Sequence, residues 1–277
     1  MTIQTETTTG AGRTAVGDVL FIGNATLLIR YAGLTLLTDP NFIHAGEEIP
    51  LGYGMTTRRL IDPAIEIEDL PEIDAVVLSH FHADHFDRIA EERLDRSTTI
   101  VTTPETAEAL GDRGFHTVHA LETWESTEVV GDRAICTVRA MPGQHAPSML
   151  SIALPEVMGS LLEFRRTDDE SVVALRMYIT GDTIMYEGVR AIAEREPVID
   201  LAFLHLGGTR VMGMTVTMDG EQGVELLETI RPRLAVPIHF DDYEAFKSPL
   251  SEFRTALENA GLQDAVRYIA RGDRLPL

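Results

Sequence analysis

The sequence predicts an α/β fold whose first strands are antiparallel. The chain opens with three short apolar runs separated by turn-forming pairs, and these runs are Asp18–Ile22, Thr26–Arg30 and Leu34–Thr38. Closely spaced runs of this kind are typical of an antiparallel meander. Further along, apolar runs alternate with segments of helical spacing, which is typical of a sheet covered by helices.

The remaining elements follow in order along the chain. The predicted later strands are Ala75–Leu78, Thr99–Thr102, His116–Leu121, Thr127–Val130, Ala134–Met141, Leu161–Arg165, Ser171–Thr180, Val198–Leu206, Leu234–Ile238 and Val266–Ala270. The predicted helices are Asp87–Asp95, Pro104–Leu110, Asp219–Ile230 and Pro249–Ala260. Periodicity is lost over Asn41–Asp69 and Ser148–Gly159, and long irregular segments in compact domains are often functional.

Length and composition favour one domain. The chain has 277 residues, of which 44% are hydrophobic, so it can fill a sizeable core. Residues 1–12 are rich in threonine and glycine and lack the apolar core of a signal peptide, so we expect a disordered tail there. We expect residues 13–277 to form a single domain.

The charge and cysteine content limit the partners and the compartment. A formal net charge of -21 opposes binding to nucleic acid and to anionic membranes. No run approaches the roughly 18 apolar residues of a membrane helix. A small-molecule substrate is the expected partner, and homo-oligomerisation is left open. The single cysteine, Cys136, excludes an intramolecular disulfide and suits a cytoplasmic location.

The segment Ser79–Phe86 predicts a metal site. His80, His82, Asp84 and His85 follow the apolar run Ala75–Leu78, so they lie where a strand ends. Imidazoles and carboxylates are the usual ligands of zinc and related ions, and four such groups without a cation are costly to desolvate. The alternative interpretation is a surface loop that happens to be rich in histidine.

Other candidate ligands follow other strands. His145, Asp182 and His239 each come directly after a predicted strand, and His205 lies near the end of another. Folds of the α/β class place their sites at the carboxyl ends of strands. Asp39 follows the third strand of the meander, where it either caps a turn before Pro40 or contacts a ligand histidine.

These residues resemble the motifs of the metallo-β-lactamase superfamily. The signature H-x-H-x-D-H stands at His80–His85, and the later motifs match at Gln144-His145, Gly181-Asp182-Thr183 and Pro237-Ile238-His239. The resemblance covers the chain from about Val16 and implies a four-layer αβ/βα sandwich, with two central mixed sheets and helices outside.

The resemblance also implies a dinuclear centre. One ion is expected on His80, His82 and His145, the other on Asp84, His85 and His239, with Asp182 bridging the two. Zinc is the expected metal, and manganese and iron are alternatives. Two ions a few ångströms apart hold a bridging hydroxide as nucleophile and stabilise the leaving oxyanion.

The expected reaction is hydrolysis of a small ester, lactone or phosphodiester. Leu37–Phe42 and Gly181–Thr183 resemble the branch that contains ascorbate-6-phosphate lactonase and N-acylphosphatidylethanolamine-hydrolysing phospholipase D. One alternative is an iron-dependent oxidoreductase that uses the same ligands. The other is a non-catalytic metal-binding protein.

Three residues are candidates for proton transfer to the leaving group, namely Asp84, His205 and Tyr243. For His205 the alternative is a supporting hydrogen bond, and for Tyr243 it is packing at a helix start. Tyr53, Arg58 and Arg59, in the irregular segment after Asn41, are candidate substrate contacts. The arginines are the stronger candidates if the substrate is anionic. The alternative for all three residues is a solvated position on the surface.

Overall fold

The computed structural model describes residues 16–52, 55–146, 155–196, 198–211 and 213–277. The predicted tail at residues 1–12 and most of the predicted irregular segment Ser148–Gly159 therefore lie outside the described residues. None of the helices in these ranges combines the length and the apolar character that crossing a bilayer requires.

The first sheet contains seven strands. They are β1 (Gly17–Gly23), β2 (Thr26–Tyr31), β3 (Leu34–Thr38), β6 (Ala75–Val77), β7 (Ile100–Thr102), β8 (Val118–Ala120) and β17 (Arg274–Pro276), in the order β17-β1-β2-β3-β6-β7-β8. The predicted meander β1–β3 is confirmed as antiparallel, and the sheet then continues in parallel from β3 to β8.

The second sheet contains six strands. They are β9 (Ser126–Val130), β10 (Ala134–Pro142), β11 (Met158–Arg166), β12 (Asp169–Ile179), β13 (Leu201–His205) and β16 (Leu234–Ile238), in the order β16-β13-β12-β11-β10-β9. Strands β9 to β12 pair in antiparallel fashion, whereas β12, β13 and β16 are parallel. Strands β10, β12, β13 and β16 therefore share one direction, and their carboxyl ends lie at the same edge.

Apolar side chains hold four layers together. Leu36 and Val77 of the first sheet share a buried cluster with Val138, Phe164 and Phe203 of the second, so the main core lies between the sheets. The outer face of the first sheet packs on α1 (Arg88–Arg93) and α2 (Pro104–Asp112), through residues that include Ala90 and Leu110. The second sheet packs on α3 (Glu187–Arg195), α4 (Gly220–Ile230) and α5 (Leu250–Ala260). The predicted four-layer sandwich is confirmed.

Two short hairpins complete the order of elements. The predicted irregular segment after Asn41 contains the hairpin of β4 (Glu48–Gly52) and β5 (Met55–Arg58), which the sequence analysis missed. The second hairpin joins β14 (Arg210–Val211) to β15 (Met214–Thr215).

Two elements near the second sheet differ from the prediction. The helix α3 was missed because Gly188 weakens its helical pattern, yet Val189 and Ile192 are fully buried and stabilise it by packing. The predicted strand Val266–Ala270 is wrong, since Val266 makes only an isolated bridge to Ala235. The last strand is β17, which pairs with β1.

Asp87 anchors the segment that carries the histidine motif. Its side chain is 2% exposed. One carboxylate oxygen caps α1 by accepting the Ala90 N–H at 2.8 Å, and the other accepts the N–H groups of Phe42 and Ile43. Asp87 therefore joins three chain segments through buried hydrogen bonds.

We expect Asp87→Ala to destabilise the fold strongly. Removal of the carboxylate leaves three buried N–H groups without an acceptor, which should lower the free energy of unfolding by about 3 kcal/mol. Urea titration of the chelator-treated protein measures this value. The matched control is Asp219→Ala, where a half-buried cap loses one bond to Gln222 N–H and the expected cost is about 1 kcal/mol. Equal losses in the two variants would contradict this interpretation of Asp87.

Candidate metal centre

The candidate ligands come together from both sheets. His80 follows β6 of the first sheet, while His145, Asp182 and His239 follow β10, β12 and β16 of the second. The carboxyl ends of these second-sheet strands share one edge, and the segment after β6 meets them there. The structure therefore places all seven predicted ligands in two adjacent groups.

The first group contains three histidines. One ring nitrogen from each of His80, His82 and His145 lies within 4.8 Å of the others. The Nε2 atom of His80 is 2.9 Å from Nδ1 of His82, so these two residues present different ring nitrogens to the same point. Three nitrogens that converge in this way can hold one cation.

The second group contains two carboxylates and two histidines, namely Asp84, His85, Asp182 and His239. The two oxygens of Asp182 face different partners, with Oδ2 at 3.4 Å from His85 Nε2 and Oδ1 at 3.5 Å from His239 Nε2. Oδ2 of Asp84 is 3.5 Å from the same His239 nitrogen. Four nitrogen and oxygen donors within 4.8 Å can hold a second cation.

The backbone adopts a left-handed conformation at one ligand, His239, and directly before another, at Gly181. Gly181, directly before Asp182, has φ +63, and a Cβ atom there would lie 2.7 Å from the Met158 carbonyl oxygen. Glycine is therefore required at this turn. His239 itself has φ +58, which costs about 1–2 kcal/mol for a residue with a Cβ. Its N–H donates to the Asn24 carbonyl at 3.1 Å, which helps to hold the turn.

Backbone carbonyls set the orientation of two imidazoles. His145 Nδ1 lies 3.2 Å from the Val216 carbonyl oxygen, and His239 Nδ1 lies 3.0 Å from that of Leu206. A carbonyl only accepts hydrogen bonds, so Nδ1 carries the proton in both rings. The lone pair of Nε2 then points into the site, which is the tautomer that binds a metal ion.

Asp39 contacts a ligand histidine and also holds the backbone. Its Oδ2 atom is 3.3 Å from His85 Nδ1, and its Oδ1 atom accepts the Ser79 N–H at 2.7 Å. The Ser79 hydroxyl lies 2.9 Å from His80 Nδ1. Asp39 and Ser79 thus orient the histidine motif from behind.

The inward-facing atoms fit a bound cation. Five of them are buried and have no hydrogen-bond partner among the described residues, namely Asp84 Oδ1, His85 Nε2, His145 Nε2, Asp182 Oδ1 and His239 Nε2. A buried polar atom left unpaired costs about 1–3 kcal/mol. Divalent cations would satisfy these atoms, and their nitrogen and oxygen chemistry suits zinc and related ions.

Electrostatics prepare the two groups differently. Burial lowers the pKa of His145 to about 4, and burial together with the neighbouring histidines holds the pKa of His80 well below its usual value. Both rings are therefore neutral and free to donate a lone pair. Burial opposes ionisation of Asp84, but His85 and His239 hold the pKa of its carboxyl at about 2. In the second group burial opposes protonation of His85 and His239, but Asp182 and Asp84 raise the pKa of both rings, so a cation that binds there displaces protons.

Of the three predicted catalytic residues, Asp84 and His205 each have a buried atom without a hydrogen-bond partner among the described residues, but of these two it is Asp84 that belongs to the second group of ligands. It lines a cavity over the site together with His82, His145 and Asp182. His205 is fully buried behind His85, with Nδ1 at 3.2 Å from the Thr180 hydroxyl, and it does not line this cavity. The ring of Tyr243 lines the cavity, but its hydroxyl donates to Asn41 Oδ1 at 2.8 Å.

Neither of the two arginines predicted to contact the substrate lines the cavity. Arg59 is 0% exposed, donates to Ile61 O and Asn41, and forms an ion pair with Asp242, so its assignment as a substrate contact is corrected to a role in the core. Arg58 is exposed, pairs with Glu48 at 2.9 Å, and does not line the cavity. Tyr53 lies outside the described residues.

Two polar partners of the ligands were missed by the sequence analysis. The Thr217 hydroxyl donates to Asp182 Oδ2 at 3.1 Å, and Asn24 Nδ2 donates to the Asp84 carbonyl at 2.6 Å. Both residues are distant in sequence from the groups they support and belong to no motif that we recognised. Among the polar residues that support the ligands, Ser79 could have been predicted, because it directly precedes His80 in the sequence.

Known proteins support the fold. The family model described as Beta-lactamase superfamily domain matches residues 36–240, well over half of the chain. A UPF0173 metal-dependent hydrolase of Staphylococcus carnosus is 26% identical over 249 residues, which cover 88% of this chain and 94% of that relative.

Two solved structures share the metallo-β-lactamase fold found here. Isothiocyanate hydrolase from Delia radicum gut bacteria has a TM-score of 0.77 at 22% identity, and the match covers 94% of this chain and 99% of that one. A possible metal-dependent hydrolase from Veillonella parvula DSM 2008 has a TM-score of 0.78 at 18% identity, covering 95% and 100%.

Divalent metal should stabilise the fold. We expect zinc, added to chelator-treated protein at about 100 times its Kd, to contribute about 2.7 kcal/mol and raise Tm by about 5 °C or more. His145→Ala and His239→Ala should each reduce this shift, because each removes one inward nitrogen. Exposed His116 provides the control, since His116→Ala should keep the full shift. Differential scanning calorimetry measures Tm of the unmodified protein and of the three variants. An equal shift in all four proteins would mean that zinc binds elsewhere.

Proposed function

The chain belongs to the beta-lactamase superfamily, and from that premise we propose that it is a metal-dependent hydrolase with two ions in its centre. The observation that carries the proposal is the convergence of seven ligand-type residues in two groups. His80, His82 and His145 would hold one ion, and Asp84, His85 and His239 the other. Asp182 faces His85 and His239 of the second group, and the motif resemblance assigns it to both ions.

The chemistry divides between the ions and the chain. A pair of divalent cations supplies, when bound, acidification of water and Lewis-acid activation of an ester, lactone or phosphodiester. Asp84 lines the cavity with its Oδ1 atom unpaired among the described residues, and its low pKa keeps it ionised. It would therefore accept a hydrogen bond from the attacking water and orient it, and would not store a proton for the leaving group.

The other two proton-transfer candidates are supporting residues in this proposal. His205 Nε2 lies 3.7 Å from Asp39 Oδ2, on the side of Asp39 that also faces His85. Tyr243 keeps its proton because burial raises the pKa of its hydroxyl. Both would help to hold the ligand-bearing segments in place.

The substrate class rests on the motif resemblance. Leu37–Phe42 and Gly181–Thr183 resemble the lactonase and phospholipase D branch, which favours a small-molecule ester, lactone or phosphodiester. Zinc is the proposed metal, with manganese or iron as alternatives. We also propose a cytoplasmic location, in keeping with the buried, unpaired Cys136.

Metal-dependent turnover is the test. The zinc-loaded protein should hydrolyse at least one of a short aryl ester, a γ-lactone and a bis-aryl phosphodiester, assayed by product release. Asp182→Ala should lower kcat/KM at least about 10³-fold, since Lewis-acid activation is worth several kcal/mol. Asp168→Ala, at an exposed carboxylate paired with Arg166, is the matched control and should retain full activity.

Three outcomes separate the alternatives. Full metal occupancy without turnover of any of these substrates would contradict the hydrolase. Iron as the native metal, with consumption of dioxygen, would support the oxidoreductase instead. Loss of metal from Asp182→Ala with no activity to lose would support a non-catalytic metal-binding protein.

A further inference from the structure

We propose that the substrate is uncharged and apolar around its reacting group. This inference rests on the proposed hydrolase function and deepens it, because it distinguishes neutral esters and lactones from anionic substrates. It is carried by the walls of the cavity over the metal centre and by the placement of the basic residues around it.

The cavity has a polar floor and apolar walls. The floor is formed by the ligand-type residues, and most of the wall is formed by Leu51, Val216, Ala245 and Phe246. The other wall residues, Thr209, Thr217 and Tyr243, are uncharged. The Thr217 hydroxyl, also in the wall, is engaged with Asp182. A group that projects from the floor toward these walls meets hydrocarbon.

No arginine or lysine lines this cavity among the described residues. The cations nearest in sequence to its walls are engaged elsewhere. Arg58 pairs with Glu48, Lys247 Nζ donates to the Glu244 carbonyl at 2.7 Å, and Arg210 lines a different cavity beside α4 and α5.

The undescribed segments closest in sequence to the cavity do not supply a cation. Residues 53–54 follow the hairpin strand that contributes Leu51, and residues 147–154 follow His145. Neither segment contains an arginine or a lysine. An anionic substituent would therefore be desolvated against the walls without a counter-charge, which is costly.

A neighbouring cavity repeats the pattern. It has a volume of about 460 Å³ and meets the first cavity at His82. Its lining combines apolar residues such as Ile43, Ile49 and Phe81 with three carboxylates, Glu47, Glu48 and Glu91, which would repel an anionic group. Arg88 is the only basic residue among its described lining residues, and it is paired with Glu47. This cavity would take an apolar chain that extends past His82.

A matched pair of esters tests the inference. p-Nitrophenyl butyrate and p-nitrophenyl hemisuccinate share the leaving group, the electrophile and the chain length, but the second ends in a carboxylate. After subtraction of the enzyme-free rates, we expect kcat/KM of the zinc-loaded enzyme to favour butyrate by at least about 30-fold. The phosphodiester bis(p-nitrophenyl) phosphate, whose charge lies on the reacting group at the metal centre, tests zinc-dependent hydrolysis alone.

A charge placed in the wall should change this preference. Leu51→Lys, at a half-buried position of the exposed hairpin, should reduce the butyrate preference about tenfold by supplying a counter-charge. Leu60→Lys introduces the same charge at a side chain that is 47% exposed and outside the cavity, so the preference should not change. Circular dichroism and Tm confirm that both variants fold.

The outcomes distinguish the inference from the function beneath it. Equal or better use of the hemisuccinate, with zinc dependence intact, would overturn the inference and leave the hydrolase standing. An unchanged preference in Leu51→Lys would also overturn it, since the wall would then not decide the charge of the substrate. Absence of zinc-dependent turnover for all three substrates would overturn the hydrolase, and the inference with it.

Discussion

The structure depends on one electrostatic constraint, which is that buried histidines and carboxylates at the meeting point of two sheets need a cation. Asp84, Asp182, His85, His145 and His239 each present a buried atom that has no hydrogen-bond partner among the described residues. An unpaired buried atom costs about 1–3 kcal/mol, and the contacts of 3.4 and 3.5 Å between Asp182 and the rings of His85 and His239 offset only part of that cost. Metal binding and folding are therefore coupled, because the ion removes a cost that the folded chain alone creates.

The fold tolerates this cost because the atoms of the same histidines that point away from the site have polar partners. The carbonyls of Val216 and Leu206 hold the outer nitrogens of His145 and His239, and Asp39 faces that of His85. These partners belong to different parts of the chain, and they can reach the site because strands of both sheets end there. The layered fold therefore fixes the orientation of the ligands before any ion binds, which lowers the ordering cost of binding.

Much of this site could be predicted because its signals are local. His80–His85 lies within one short segment, and the rule that α/β sites form at carboxyl ends of strands placed His145, Asp182 and His239 beside it. The role of Arg59 could not be predicted, because its partner Asp242 is 183 residues away and nothing local shows that the side chain is buried. The last strand was misplaced for the same reason. Arg274–Pro276 is a strand because it pairs with β1, which is distant in sequence, whereas the predicted run at Val266 makes only an isolated bridge.

The contrast between floor and walls has a consequence for catalysis. Two divalent cations outweigh the two carboxylates of Asp84 and Asp182, so a loaded centre would be positive within a chain whose net charge is -21. A neutral substrate gains little from that field in its ground state, whereas the negative charge that develops on the attacked group gains much. Apolar walls such as Val216 and Phe246 exclude water and strengthen the same interaction. The proposed neutral substrate thus matches the arrangement in which electrostatic stabilisation acts mainly on the transition state.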